Sequence, residues 1–159
     1  MTEGKLDLRT RIMIRRFMDG RMYAKNEPYD VGVIRGNVGL NEGIGELINL
    51  LIGAAASSFH SGAARVGVGT ATNAEVATQT GLLSAAAYQP MDATYPIRSG
   101  QAVSWRGTFG GGLANAAWQE FTVANASGDA AKNLFRKASD QGTKTSGQTW
   151  ELTCEVTLT

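Results

Sequence analysis

The feature that most constrains the fold of this sequence is a ten-residue stretch, TWELTCEVTL at 149–158, in which polar and apolar side chains alternate without a break. Successive side chains of a β-strand point to opposite sides, so the stretch predicts a strand with one buried face and one polar face. The apolar side comprises Trp150, Leu152, Cys154, Val156 and Leu158. We expect a sheet partner to hold this strand, because an unpaired segment of this kind would be a loose tail.

The polar side of the same stretch carries three threonines and two glutamates. The threonines Thr149, Thr153 and Thr157 are uncharged and favour β-structure, so they are candidates for a subunit contact, with exposure to solvent as an equal alternative. Glu151 and Glu155 are four residues apart on one face. A strand separates such positions by about 13–14 Å, too far for a catalytic carboxylate pair. We therefore interpret them as solvated positions or interface positions.

The segment KLDLRTRIMIRRF at 5–17 also alternates, with leucine and isoleucine opposite charged side chains and Met13 as the exception. Residues 1–36 hold eight Lys/Arg against five Asp/Glu, although the whole chain has a formal charge of only +1. The candidate partner-interface residues are Arg9, Arg11, Arg15, Arg16 and Arg21. A solvated strand face is the plainest interpretation. Contact with an acidic patch on a protein is its rival, because arginine is the preferred interface cation. Nucleic acid ranks third, because aromatic side chains are not interleaved with the arginines.

The rest of the chain predicts an all-β domain with one short α-helix. Ile44, Leu47, Ile48 and Leu51 follow helical spacing, which predicts a helix over about 42–52 with Asn41 as N-cap and Gly53 as its stop. About eight short strands separated by turn signals favour an antiparallel sandwich or barrel. We expect a single domain over 1–159, in which 1–36 is either part of the sheet or an arm or hairpin outside the core that contacts a partner.

The residue types that carry chemistry are sparse. His60 is the single histidine and Cys154 the single cysteine, so no metal site of several His or Cys ligands is predicted. Neither a nucleophile elbow nor a phosphate-binding glycine motif occurs. Trp105, Trp118 and Trp150 lie in alternating stretches, which favours core packing over sugar stacking. We predict no catalytic residue, no metal and no cofactor.

Charge and hydropathy limit the partners and the compartment. The near-zero net charge provides no strong field for nucleic acid or an anionic membrane. The N-terminus is charged from the third residue, unlike a secretory signal, and no apolar stretch approaches the length needed to span a bilayer. We therefore expect synthesis in a cytoplasm, with no membrane partner and no direct nucleic-acid partner.

Several landmarks in a fixed order resemble a family of tailed-bacteriophage virion proteins. They are GNVGLNEGIGELINLLIG, ARVGVGTATNAEVATQTGL, MDATYP, ANAAWQEFTV and GTKTSGQTWELTCEVTLT, and together they span residues 36–159. The resemblance is to capsid (head) decoration or cement proteins. It implies a jelly-roll-like antiparallel β-sandwich without catalytic residues.

The resemblance also implies a function. A protein of this kind binds the outside of a phage capsid across neighbouring major capsid proteins and stabilises the shell, commonly as a homotrimer. We therefore expect a virion protein on the capsid exterior, made in the host cytoplasm, with the basic segment 5–21 as its contact. The alternatives are a tail, neck or fibre component and a carbohydrate-binding attachment module.

Overall fold

Ten strands and two short helices make up the part of the chain that the structure, a computed structural model, describes: residue 4 and residues 6–159. In chain order they are β1 (Leu8–Phe17), α1 (Gly20–Ala24), β2 (Asp30–Arg35), β3 (Val38–Gly39), α2 (Asn41–Leu51), β4 (Arg65–Gly69), β5 (Ala85–Pro90), β6 (Ile97–Ser99), β7 (Ala102–Phe109), β8 (Glu120–Ala124), β9 (Phe135–Ala138) and β10 (Thr149–Leu158).

The strands form two five-stranded sheets. Sheet I has the order β2-β1-β10-β7-β6, and sheet II has the order β3-β9-β8-β4-β5. All neighbouring strands are antiparallel. The pairs β1–β10, β3–β9, β4–β8 and β6–β7 are nested along the chain, as in a long hairpin folded across two sheets, which is the jelly-roll feature of this fold. The predicted all-β sandwich is confirmed.

Strand β10 is the central strand of sheet I, as its alternation predicts. It pairs with β1 along ten residues, from Leu8 opposite Leu158 to Phe17 opposite Thr149. On its other side it pairs with β7, from Trp150 opposite Phe109 to Thr157 opposite Ala102. The expectation that a sheet partner holds the stretch is therefore confirmed on both edges.

The core lies between the two sheets and is rich in aromatic rings. Trp118 is fully buried, and its ring meets those of Phe109 and Trp150 edge-to-face at 4.9 Å each. Trp105 donates its indole N–H to the Phe59 carbonyl at 2.9 Å. The prediction that all three tryptophans pack in the core is confirmed.

Helix α2 confirms the predicted helix over about 42–52, but its start differs. Leu40 occupies the N-cap position, so Asn41 is the first helical residue instead of the cap. Gly53 has a φ of +70° just past the end, which is the left-handed stop expected of glycine. The structure adds a second helix, α1, between β1 and β2. Asp19 caps α1 by accepting from the N–H groups of its first residues.

The described part of segment 1–36 belongs to the sandwich, which corrects the hypothesis of an arm outside the core. Strands β1 and β2 form a hairpin inside sheet I, and β1 buries Ile12, Ile14 and Phe17 completely. Residues 1–3 and 5 lie outside the described residues. The partner contact assigned to this segment stays a prediction.

A buried ion pair attaches the 70–84 loop to sheet II. Glu120 of β8 and Arg136 of β9 are both fully buried, and the guanidinium donates to the carboxylate at 2.8 Å. The same carboxylate accepts from the backbone N–H groups of Leu83 and Ser84 at 2.9 and 2.7 Å. Glu120 is therefore a structural anchor.

Candidate partner-binding surface

The outer face of sheet I brings together candidate interface arginines of β1 and candidate contact threonines of β10, which the sequence selects separately. Opposite residues of an antiparallel pair point to the same side of the sheet. Arg9 of β1 lies opposite Thr157 of β10, and Met13 lies opposite Thr153. Arg11 lies opposite Glu155. Arg9, Arg11 and Arg15 of the basic set therefore share one face with the threonine set, which neither strand pattern shows by itself.

The middle of this face is a closed charge network. Glu151 is buried and accepts from Arg15 at 3.0 Å, and its other oxygen lies 3.7 Å from Arg106. Arg106 also donates to Asp92 at 2.9 Å. Burial by itself would lower the pKa of Arg106, but the charge of Glu151 and the bond to Asp92 raise it. Arg15 also donates to the Asn26 side chain. Arg15 is thus already bound within the chain, and Glu151 is not solvated.

One end of the face is covered by α1. The Tyr23 ring meets the buried Phe17 ring edge-to-face at 5.2 Å, and its hydroxyl lies 3.3 Å from the Thr108 hydroxyl. Thr149, which pairs with Phe17, is buried at this end. The proposal of Thr149 as a subunit contact is therefore wrong, whereas Thr153 and Thr157 remain partly exposed.

Arg16 faces the opposite side from the other arginines of β1. Its guanidinium lies over the Trp150 ring at 4.8 Å and donates to the Gln141 carbonyl at 2.8 Å and to Asp30 at 2.5 Å. The residue is buried. Arg16 therefore closes an edge of the core and is not an interface residue. Its even number, shared with Ile12 and Ile14, is the sequence signal for this placement.

The other end of the face is open and forms an arginine groove. The groove has a volume of about 620 Å³, and its basic lining residues are Arg9, Arg11 and Arg35. Arg35 of β2 lies directly opposite Arg11. It is absent from the predicted set, although its alternation with the buried Ile34 in VGVIRG could have placed it on this face. Arg21 is exposed on α1 and does not line the groove.

The apolar face of α2 lies at the same end of the sandwich and is largely uncovered in the described structure. Only Gly43 of this helix is buried, and Leu47 alone of the predicted apolar stripe packs against the core. Ile48 and Leu51 are 54% and 84% exposed. We define the apolar α2 surface as the exposed side chains Leu6, Ile44, Ile48, Leu51, Ile52 and Leu158.

The apolar α2 surface and the arginine groove are continuous. Leu8 lines both the groove and the hollow of about 560 Å³ that Leu47 and Leu51 line. Contiguous exposed apolar side chains of this kind mark interaction sites, and arginine is enriched in protein interfaces. The chemistry available here is adhesion: apolar burial on one side and cationic hydrogen bonding on the other.

The groups considered for other chemistry have ordinary structural roles. His60 is exposed, and its Nδ1 accepts from the Gly62 N–H at 3.1 Å. Cys154 is fully buried, and this burial raises the pKa of its thiol. Among residues 4 and 6–159, no group of three or more His, Cys, Asp or Glu side chains is placed to hold a metal ion. Neither of the helices in the same residues is long and apolar enough to cross a membrane.

Comparisons with protein-family models, with curated proteins and with solved structures found no match for this chain.

Proposed function

We propose that this chain is a non-enzymatic virion structural protein that decorates and stabilises a bacteriophage capsid by binding across neighbouring major capsid proteins. The observation that carries the proposal is the continuous surface formed by the apolar α2 face and the arginine groove on a rigid β-sandwich. The ordered landmarks in residues 36–159, which resemble decoration proteins, support the capsid as the partner.

The mechanism is adhesive. A protein that binds only the assembled lattice stabilises that lattice by mass action. The apolar α2 surface provides the burial, at about 1.5–3 kcal/mol for each large side chain taken fully out of water. The arginines provide directional hydrogen bonds at the rim. A homotrimer on the capsid exterior remains the proposed assembly.

The alternatives differ in what the structure offers them. The three tryptophans are buried, so the stacking surface on which a carbohydrate-binding module depends is not provided by tryptophan. A tail, neck or fibre component would use the same adhesive surface and differs from a decoration protein in copy number.

The test has two parts. Quantitative mass spectrometry of intact particles should give a copy number that scales with the major capsid protein, and electron microscopy should place the chain on the shell exterior. A few copies per particle, or a location on the tail, would overturn the capsid assignment.

Binding to purified shells tests the surface itself. Because β1 is part of the core, point substitutions are suitable here and deletion of the segment is not. We expect Leu51→Asp to lower shell affinity at least tenfold, which corresponds to about 1.4 kcal/mol and is less than the burial of one leucine provides. Leu113 is also exposed but lies outside the apolar α2 surface, so Leu113→Asp is the matched control and should bind normally. Equal binding of both variants would contradict the role of α2.

A further inference from the structure

The arginine groove contains the like-charge pair Arg11 and Arg35, and its lining also includes the acidic residues Asp7 and Glu155. Arg11 and Arg35 are direct cross-strand partners, and like charges in opposite positions destabilise a sheet. Neither forms a salt bridge within residues 4 and 6–159. Glu155, the nearest acidic cross-strand neighbour of Arg11, lies 3.4 Å from the Ser104 hydroxyl that donates to it. The pairing of Arg11 with Arg35 is therefore unfavourable for folding, which suggests that the two arginines serve another purpose.

The same groove is lined by two residues whose side-chain donors are buried without a hydrogen-bond partner. They are the Arg11 Nε and the Asn37 Nδ2, two of the five such side-chain atoms in the described chain; a third, the Thr10 Oγ1, belongs to a residue opposite Val156 and lies on the core side of the sheet. Each unsatisfied buried donor costs about 1–3 kcal/mol. Both groups donate hydrogen bonds, so the matching ligand is one that mainly accepts.

The geometry fits a carboxylate. Side chains in opposite positions of an antiparallel pair start about 4.5–5.5 Å apart, so two guanidinium groups can reach one carboxylate. Arg9 is less suited to this role, because it is highly exposed and already donates to Asp7 at 3.1 Å. Arg11 and Arg35 form no salt bridge within the described chain, although Glu155 lies opposite Arg11, and Asn37 adds a neutral donor.

The neighbouring surface favours a protein over a nucleic acid. The groove adjoins the apolar α2 surface, and its lining contains no aromatic side chain on which a base could stack. We propose that the arginine groove binds a carboxylate of an acidic segment on the partner protein, held by Arg11 and Arg35. This inference rests on the proposed function in that the partner is a protein of the shell.

A blocked hexaglutamate peptide is the probe, with blocked hexaglutamine as its neutral counterpart. We expect hexaglutamate to shift the Arg11 Nε–Hε signal in NMR spectra of the full chain, and hexaglutamine to leave it unchanged. Arg11→Gln and Arg35→Gln should each lower hexaglutamate affinity about tenfold, the loss expected for one charge-assisted bond. Arg21→Gln removes the same charge outside the groove and should change affinity less than about twofold. Equal losses for Arg21→Gln and Arg11→Gln, or no binding of hexaglutamate to the unmodified chain, would overturn the proposal.

Stability provides a second readout. Relief of the like-charge pair should leave the Tm of Arg11→Gln and Arg35→Gln at or above that of the unmodified chain, whereas a purely structural role predicts a fall. Asn37→Asp places a carboxylate beside the arginines, so it should raise the Tm and weaken hexaglutamate binding. A lower Tm for all three variants would contradict the inference.

Competition distinguishes the sources of the anion. The assignment to a protein carboxylate would be overturned if inorganic phosphate displaced hexaglutamate at a lower concentration than acetate does. It would also be overturned if an oligothymidine bound more tightly than the peptide. If hexaglutamate does not bind but the chain occupies shells normally, the carboxylate site alone is refuted. Peptide binding by a chain that is absent from particles would refute the capsid function alone.

Discussion

Two glycines of α2 allow the same substitution to be tested with opposite expected results. A Cβ atom at Gly43 would lie 2.4 Å from both the Asn133 carbonyl oxygen and the Leu134 Cα, closer than real Cβ contacts occur. A Cβ atom at Gly45 would meet nothing within 4 Å. Both neighbours of Gly43 are backbone atoms, so the helix itself would have to move.

The expected magnitudes follow from these contacts. Alanine is favoured over glycine in a helix by about 0.8–1.0 kcal/mol, so Gly45→Ala should raise the free energy of unfolding by nearly that amount. Gly43→Ala has the same gain, but overpacking against backbone costs about 1–3 kcal/mol. We expect a net loss of up to about 2 kcal/mol for Gly43→Ala. In a domain of this size each kcal/mol corresponds to roughly 2–4 °C in Tm.

Urea denaturation monitored by tryptophan fluorescence is the assay, because Trp118 and Trp150 are buried and report on the core. An unchanged m-value would show that stability has changed and not the compactness of either state. Equal stabilisation by Gly43→Ala and Gly45→Ala would refute the placement of α2 against the β8–β9 connection. A destabilised Gly45→Ala variant would refute the helix propensity argument.

Three further predictions concern an ion pair, a thiol and a phenol. Glu120→Gln breaks the buried pair with Arg136 and should lower the free energy of unfolding, measured in urea, by about 3–5 kcal/mol. Asp7→Asn at the exposed pair with Arg9 should lower it by less than about 1 kcal/mol. Equal losses for the two variants would contradict the anchor role of Glu120. The Cys154 thiol should react with a thiol reagent only in denaturant, because burial raises its pKa and excludes the reagent, and rapid native reaction would contradict the core placement. Tyr88 is partly buried, and this partial burial, with the charges of Glu120 and Glu42, raises its pKa from the ordinary 10.0 to about 12. The contribution of Tyr88 to stability is therefore complete below pH 10 and is lost as pH rises through the folded pKa. Titration near 295 nm should show a transition near pH 12 that Tyr88→Phe removes, and its persistence in that variant would contradict the assignment.

Alternation in the sequence predicts the strands because it depends only on local backbone geometry. The faces of β1 and β10 follow from single-strand patterns, as do the buried tryptophans and Cys154. The same rule also places Arg16 on the buried side, and an interpretation based on charge alone misassigns it. Periodicity is therefore a better guide than residue type within an alternating strand.

Periodicity does not predict what a face meets. The stripe of α2 follows helical spacing, but the helix approaches sheet II through Gly43 and leaves Ile48 and Leu51 exposed. Thr149 lies on the polar side of its strand and is nevertheless buried, because α1 covers that end of sheet I. These outcomes depend on contacts between segments distant in the chain.

The sequence by itself determined the β class, the strand faces and the helix, because these depend on interactions among neighbouring residues. Only the tertiary structure decided the register, and the register places Arg11 opposite Arg35 in one groove and encloses Glu151 between Arg15 and Arg106. Pairing between distant strands is selected by the packing of the whole core, which no local pattern records.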